Sequence, residues 1–182
     1  MVYIFLANGF EEVEAITPFD YLKRSGSKVL TVGVNGTKIY GSHNLQIYTD
    51  VDISDLKNTS LNEEDFVILP GGLEGTKNLL ANEDVLMFVM KAFNYASIGA
   101  ICAAPSILGK MGILKGKKAC CYPGFEDALQ GAEVLNDSVV VDSNIITSKG
   151  AGTAQQFSFE IIRYLHGEKK LKEVKNQVQW EI

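Results

Sequence analysis

The stretch that decides the fold is ASIGAICAAPSILGKM, residues Ala96–Met111. Ile98–Ile101 is a short apolar run of the kind that forms a buried strand. It ends at Cys102, small residues follow, and Pro105 opens a helix over Ser106–Met111. Proline suits the first helical turn, where its missing N–H has no partner to lose. This places Cys102 on a sharp strand-to-helix turn, the geometry that lifts a nucleophile out of a sheet edge. Unpaired N–H groups and the positive end of a helix dipole would face the thiol there and favour its thiolate. The small neighbours Ala100, Ala103 and Ala104 separate this cysteine from an ordinary core thiol.

Working outward, the same strand-then-helix rhythm recurs along the chain. Val2–Ala7 is a continuous apolar run, suited to a buried parallel strand. Asn8-Gly9 turns the chain into a helix over Glu11–Ser25, with Val13, Ile16, Phe19 or Asp20, and Leu22 on its inward side. Pro18 should kink or restart that helix, with Thr17 as a local cap, and Gly26 should end it. Lys28–Val34 is a second strand. Asn35-Gly36 signals a hairpin, Gly41–Asn44 a second turn, and Thr37–Tyr40 with Leu45–Tyr48 a small antiparallel excursion. Asp52–Leu56 reads as one helical turn and Lys57–Glu64 as a polar loop.

Phe66–Leu69 is the next buried strand, stopped by Pro70-Gly71-Gly72. Asn82 caps a long amphipathic helix to Ala96. Beyond the cysteine elbow come a strand at Lys118–Tyr122, a short helix at Phe125–Leu129, and paired strands at Val139–Val141 and Asn144–Thr147. Gly150–Thr153 leads into a helix over Ala154–Leu165, ended by His166-Gly167, and Glu168 to about Gln177 forms the last helix. Strands alternating with helices predict an α/β protein, a mainly parallel sheet with helices on both faces. No linker or repeat interrupts the 182 residues, so one domain over 1–182 is expected.

Composition narrows the function classes. A net charge of −5 without a Lys/Arg stripe excludes an evident nucleic-acid footprint. No apolar run is long enough for a membrane span. Three cysteines, two of them adjacent at Cys120 and Cys121, form neither a disulfide framework nor a metal-ligand pattern, which suits a reducing, cytoplasmic setting. The first strand lacks a dinucleotide fingerprint, and Gly71-Gly72 is not followed by a phosphate-loop Lys-Ser/Thr. No cofactor or metal is expected.

Sites in such sheets form beyond the carboxyl ends of the strands. Four loops should therefore converge: Asn8–Glu14, Pro70–Gly75, Cys102–Pro105 and Lys149–Thr153. The helix dipole alone accounts for Glu11 and Glu12. Glu14, one turn further on, is phased to turn inward beside Cys102, where burial would raise its pKa and let it donate to a thiolate. The N–H groups of Gly72 and Ala103 would form an oxyanion pocket. Gly150 opens either an anion-binding helix start or a plain tight turn. His43 belongs to a surface turn and His166 to a helix end, so neither serves Cys102 as a base.

Together GFEEVEA (Gly9–Ala15), LPGG (Leu69–Gly72), AICAAP (Ala100–Pro105) and TSKGAGT (Thr147–Thr153) resemble the ThiJ/PfpI superfamily. The resemblance is strongest to the branch holding ThiJ and the parkinsonism-linked protein deglycase. It covers essentially the whole chain. It implies a flavodoxin-like three-layer sandwich, commonly a homodimer, with Cys102 as the reactive thiol and Glu14 as its acid partner. Gly72 and Ala103 supply backbone donors, and Gly71, Tyr122 and Gly150 are candidates for the pocket. The implied activities are cofactor-free conversion of methylglyoxal and removal of glyoxal adducts, with oxidation sensing or a chaperone role as the alternative. Family members with a histidine near the cysteine carry it just before a proline. Here Tyr122 precedes Pro123, and tyrosine is a poor base near neutral pH, so a Cys–His peptidase does not fit.

Overall fold

The computed structural model describes residues 1–180; positions 181–182 of the expected domain lie outside the described residues. Its strands and helices follow in the order β1 (Val2–Leu6), α1 (Glu12–Arg24), β2 (Val29–Gly33), β3 (Lys38–Tyr40), β4 (Gln46–Tyr48), β5 (Val51–Asp52), β6 (Phe66–Leu69), α2 (Leu73–Leu80), α3 (Glu83–Tyr95), β7 (Ser97–Ile101), α4 (Pro105–Lys110), β8 (Lys118–Ala119), β9 (Glu133–Val134), β10 (Val139–Asp142), β11 (Ile145–Ser148) and α5 (Ala154–Gln177). Seven strands form one sheet in the order β10-β11-β7-β6-β1-β2-β5. Every pairing in it is parallel except β10 with β11.

The apolar runs become strands because both faces of the sheet are covered. Alternate residues of β1 point to opposite sides. Tyr3 and Phe5 join a core with Val67, Leu69 and Ile98, closed by Leu79 of α2, Phe88 and Val89 of α3 and Ile107 of α4. Val2, Ile4 and Leu6 join Phe66, Ile68 and Ile146 beneath Leu22 of α1 and Phe157, Ile161 and Ile162 of α5. This is the flavodoxin-like arrangement of a sheet between two helical layers. In the centre, Gly99 of β7 lies under two aromatic rings: an added Cβ would stand 2.8 Å from Phe157 Cζ and 2.9 Å from Phe66 Cε1.

Several local expectations are corrected. In α1 the buried residues are Glu14, Ala15, Pro18, Tyr21 and Leu22, whereas Val13 and Ile16 are exposed. The inward stripe thus runs through Ala15, Pro18 and Leu22, one to two positions beyond the apolar pair that marked it in the sequence. Pro18 neither ends nor restarts the helix, and Thr17 lies inside it rather than capping it. Tyr21 holds this helix to α5, with ring centroids 5.3 Å from Phe159 and a hydrogen bond from Gln155 at 2.9 Å. That docking outweighs the one helical bond that Pro18 cannot make.

Asn35-Gly36 is a turn with positive φ at both residues, but it joins β2 to the excursion rather than pairing them as a hairpin. β3 and β4 pair with each other, as expected. Lys118–Tyr122 supplies only the two-residue β8, which pairs with the unforeseen β9. Phe125–Leu129 contains a single 3₁₀ turn, Glu126–Ala128. The last two expected helices are both present as the two segments of α5, divided where expected: Gly167, at φ 78°, leaves helical geometry between them. Among the described residues, no helix is long and apolar enough to cross a membrane.

Candidate active site at the cysteine elbow

The chain reverses its direction of travel across the sheet at β1 and β6, the position where open α/β sheets leave a crevice. The loops after β1, β6, β7 and β11 meet there. Cys102 follows β7 directly and has φ 65°, left-handed backbone that a side-chain-bearing residue seldom adopts. Such a conformation costs about 1–3 kcal/mol and persists only where its surroundings hold it. Both of its backbone groups are tied. Its N–H donates to the Ser148 carbonyl at 2.9 Å, and its carbonyl accepts from the Tyr122 N–H at 2.8 Å. α4 begins three residues later at Pro105, so the elbow read from the sequence is present.

Glu14 comes to the cysteine from α1 and is only 1% exposed. Its carboxyl accepts from the Gly71 N–H at 2.8 Å, and the Cys102 side chain and the Ala151 backbone N–H lie near enough to favour its carboxylate. The Gly72 and Ala103 N–H groups are directed at the Cys102 sulfur. Gly71 is required by space. A Cβ there would lie 2.5 Å from Cys102 Cβ, 2.6 Å from Glu14 Oε2 and 3.0 Å from the sulfur. Gly72 is required by conformation as well, since it has φ 84° and presses against the Gly9 carbonyl. The loop of Gly150 closes a third side: a Cβ there would stand 3.8 Å from Glu14 Oε1 and 3.3 Å from the Tyr122 ring. All seven residues singled out in the sequence therefore belong to one neighbourhood.

The electrostatics depart from the simple expectation of a freely ionised thiol. Burial is the largest influence on both partners. It raises Glu14 to about 7, against the Gly71 hydrogen bond and the nearby Cys102 side chain, which favour its carboxylate. Cys102 is pushed up to about 12 by burial and then by the charge of Glu14, with the Gly72 and Ala103 N–H groups pulling the other way. α4 is only six residues long, and its dipole does not overcome this desolvation. The carboxyl and thiol cannot comfortably both be ionised. Thiolate is favoured when the proton rests on Glu14, because the repulsive charge is then gone and the carboxylic acid can donate to sulfur.

Ala151 and Ser148 are the contributors that the sequence reading missed; their roles come through backbone atoms and leave no side-chain signature. Glu12 also does more than complement a dipole. It accepts from the His43 N–H at 2.7 Å and pairs with His43 Nδ1 at 2.8 Å, pinning the Gly41–Asn44 turn onto the start of α1. Burial opposes its ionisation, but the bonds from the His43 side chain and backbone hold Glu12 down at about 2. His43 itself is on the surface and points to Glu12. His166 Nε2 is instead 2.7 Å from Ser27 Oγ. Cys121 is buried, in keeping with a packing role.

Fold and site together define an α/β protein built around an elbow cysteine paired with a buried glutamate. The pattern of the DJ-1/PfpI family matches residues 1–164, and the chain belongs to that family. It is 36% identical over 176 residues to protein dj-1beta of Drosophila melanogaster, covering 94% of this chain and 92% of that one. The crystal structure of Drosophila DJ-1beta superposes with a TM-score of 0.93, covering 100% of this chain and 98% of that chain at 34% identity. The chain is 35% identical over 163 residues to glutathione-independent glyoxalase DJR-1.2 of Caenorhabditis elegans, covering 88% and 85% of the two chains. It is 31% identical over 171 residues to deglycase PH1704 of Pyrococcus horikoshii, covering 91% and 99%.

Proposed function

We propose that this protein is a cysteine-dependent, cofactor-free enzyme of the glyoxalase/deglycase type, acting on reactive dicarbonyls or their adducts in protection against chemical stress. The observation that carries the reading is the positive-φ Cys102 beside the buried Glu14, with the Gly72 and Ala103 N–H groups converging on the sulfur. Relatives named as a glyoxalase and a deglycase support the same class.

In this reading, Glu14 takes the thiol proton and the thiolate attacks the aldehyde carbon of a dicarbonyl. Protonated Glu14 returns the proton to the alkoxide, giving a hemithioacetal. The Glu14 carboxylate next removes the proton from the former aldehyde carbon and returns it to the neighbouring carbon, while the hydroxyl proton passes from the first oxygen to the second. The result is a 2-hydroxy thioester, with no net oxidation. Water hydrolyses that thioester to a 2-hydroxy acid and frees Cys102. The backbone donors stabilise charge on the substrate oxygen as it develops. With an adduct as substrate, the same attack releases the amine or thiol that carried it.

Purified protein with reduced Cys102 should convert methylglyoxal to lactate, and Cys102→Ser should not. If the reduced protein consumes no methylglyoxal and repairs no glyoxal-modified thiol, the enzyme reading fails. The same donors also suit a second role, sensing oxidation, because two N–H groups and a protonated Glu14 would hold a cysteine sulfinate. Mild peroxide should then oxidise Cys102 selectively. Equal oxidation of Cys102, Cys120 and Cys121 would rule that role out. A cytoplasmic homodimer is part of the proposal, on the strength of the family resemblance and the cysteine usage.

A further inference from the structure

The geometry points to Tyr122 as the residue that sets the size of molecule able to reach Cys102. The inference rests on the reading of Cys102 as the reacting group, and it assigns the aromatic ring a role that is neither acid nor base.

Three observations place the ring at the mouth of the site. The Tyr122 N–H donates to the Cys102 carbonyl at 2.8 Å, so its backbone is fixed to the elbow itself. Its side chain lies against Gly150, whose missing Cβ would stand 3.3 Å from Tyr122 Cδ2 and 3.7 Å from Cε2. The same Cβ would be 3.8 Å from Glu14 Oε1, so ring and carboxyl both lie against one glycine. Tyr122 is nevertheless 50% exposed, whereas Glu14 is almost fully buried. The ring is therefore the outer part of this wall and the carboxyl the inner part. Its exposed surface faces molecules approaching from solvent.

Its neighbours explain why the ring can hold that position. Cys121 before it is buried, and Pro123 after it has a fixed φ. The peptide on which the ring stands is thus anchored in the core on one side and stiffened on the other. An aromatic wall on the Gly150 side of the cysteine–glutamate pair admits small, unbranched two- or three-carbon dicarbonyls and hinders thiolate attack on bulky, branched adducts. Within the proposed enzyme class, this selects the small-aldehyde substrates over large modified macromolecules.

The test compares Cys102 alkylation by iodoacetamide, a small probe, with alkylation by N-(1-pyrenyl)maleimide, a bulky one. The wild-type protein, Tyr122→Ala and Tyr122→Phe are each followed by peptide mass mapping at one pH. Removing the ring should raise the bulky-to-small rate ratio by about tenfold or more, the scale on which pockets discriminate by size. Tyr122→Phe keeps the ring and should leave the ratio within about twofold of wild type. An unchanged ratio in Tyr122→Ala would overturn the proposal. So would a Tyr122→Phe ratio that moves with it, because the hydroxyl would then be the determinant. Methylglyoxal turnover, read separately, distinguishes this from the enzyme reading. A wild-type protein that is size-selective in alkylation but inert toward methylglyoxal would sink the enzyme and leave the wall.

Discussion

Replacing Glu14 by glutamine should make the protein more stable, and by an amount that grows with pH. Glu14 is 1% exposed, and burial raises its pKa from an ordinary 4.5 to about 7. Between those values the folded chain binds a proton that the unfolded chain has released. Stability is then fully present below about 4.5 and falls as pH rises through about 7. The difference amounts to about 3 kcal/mol of native-state stability lost between pH 4 and pH 8. A glutamine amide keeps an acceptor for the Gly71 N–H and a donor toward Cys102, but it has no charge to bury. The variant should thus match the wild type within a small constant at pH 4 and exceed it by about 3 kcal/mol at pH 8. For a chain of this length that is about 6–12 °C in melting temperature. The assay is denaturant unfolding of both proteins at matched concentration across this range, taking the difference at each pH so that other titrating groups cancel. A difference that does not change with pH, or one that shrinks as pH rises, would refute a buried carboxyl with a raised pKa.

Other perturbations follow from the same geometry. Gly71→Ala should force Cys102 and Glu14 apart, lowering methylglyoxal turnover about 100-fold while costing about 1–3 kcal/mol of stability; unimpaired turnover would contradict the close approach. Gly99→Ala should also cost about 1–3 kcal/mol through overlap with Phe157 and Phe66, but leave the Cys102 alkylation rate within about twofold, as thermal melts and iodoacetamide kinetics would check. His43→Ala removes the Nδ1 contact to Glu12 and should loosen the Gly41–Asn44 turn, seen as faster hydrogen exchange at the backbone N–H of position 43, which still donates to Glu12. Because Glu12 is held at about 2 and its bonds raise the His43 pKa above 6.5, the protection of that turn in the wild type should be greatest between about pH 4.5 and 6.5, fading as pH drops toward 2 and weakening again as His43 loses its proton at higher pH.

Much of the architecture could be read directly from the chain because buried parallel strands leave short, uninterrupted apolar runs. Val2–Ala7, Phe66–Leu69 and Ile98–Ile101 needed no further context, and the loops at their carboxyl ends defined the meeting point of the site. α2 escaped notice because Leu73–Leu80 contains Gly75, a poor helix former. The glycine is there for space: its Cβ would lie 2.8 Å from the Phe10 backbone. The phase of α1 was misread in part. Val13 and Ile16 look like a core stripe and are exposed, whereas Leu22 and the polar Glu14, both read as inward, are buried, and the face follows them. β9 is a two-residue strand with both residues exposed, so it carries no hydrophobic pattern at all.

The site divides in the same way. Cys102, Glu14 and the glycines were recognisable from spacing and from family resemblance. The balance between helix dipole and desolvation was not, because the depth of burial depends on the whole fold. In sequence the elbow looked like a device for making thiolate. In three dimensions it is half of a proton-sharing pair, and the state of Glu14 decides when sulfur is charged.

The measurement that tests this most directly is the pH dependence of Cys102 alkylation in the wild type and in Glu14→Gln. The account predicts a rise in wild-type reactivity near pH 7, where the pair loses its first proton, and a variant that lacks this step and reacts only as its buried thiol ionises at higher pH. Identical profiles, each with a single rise at the ordinary cysteine value, would contradict it.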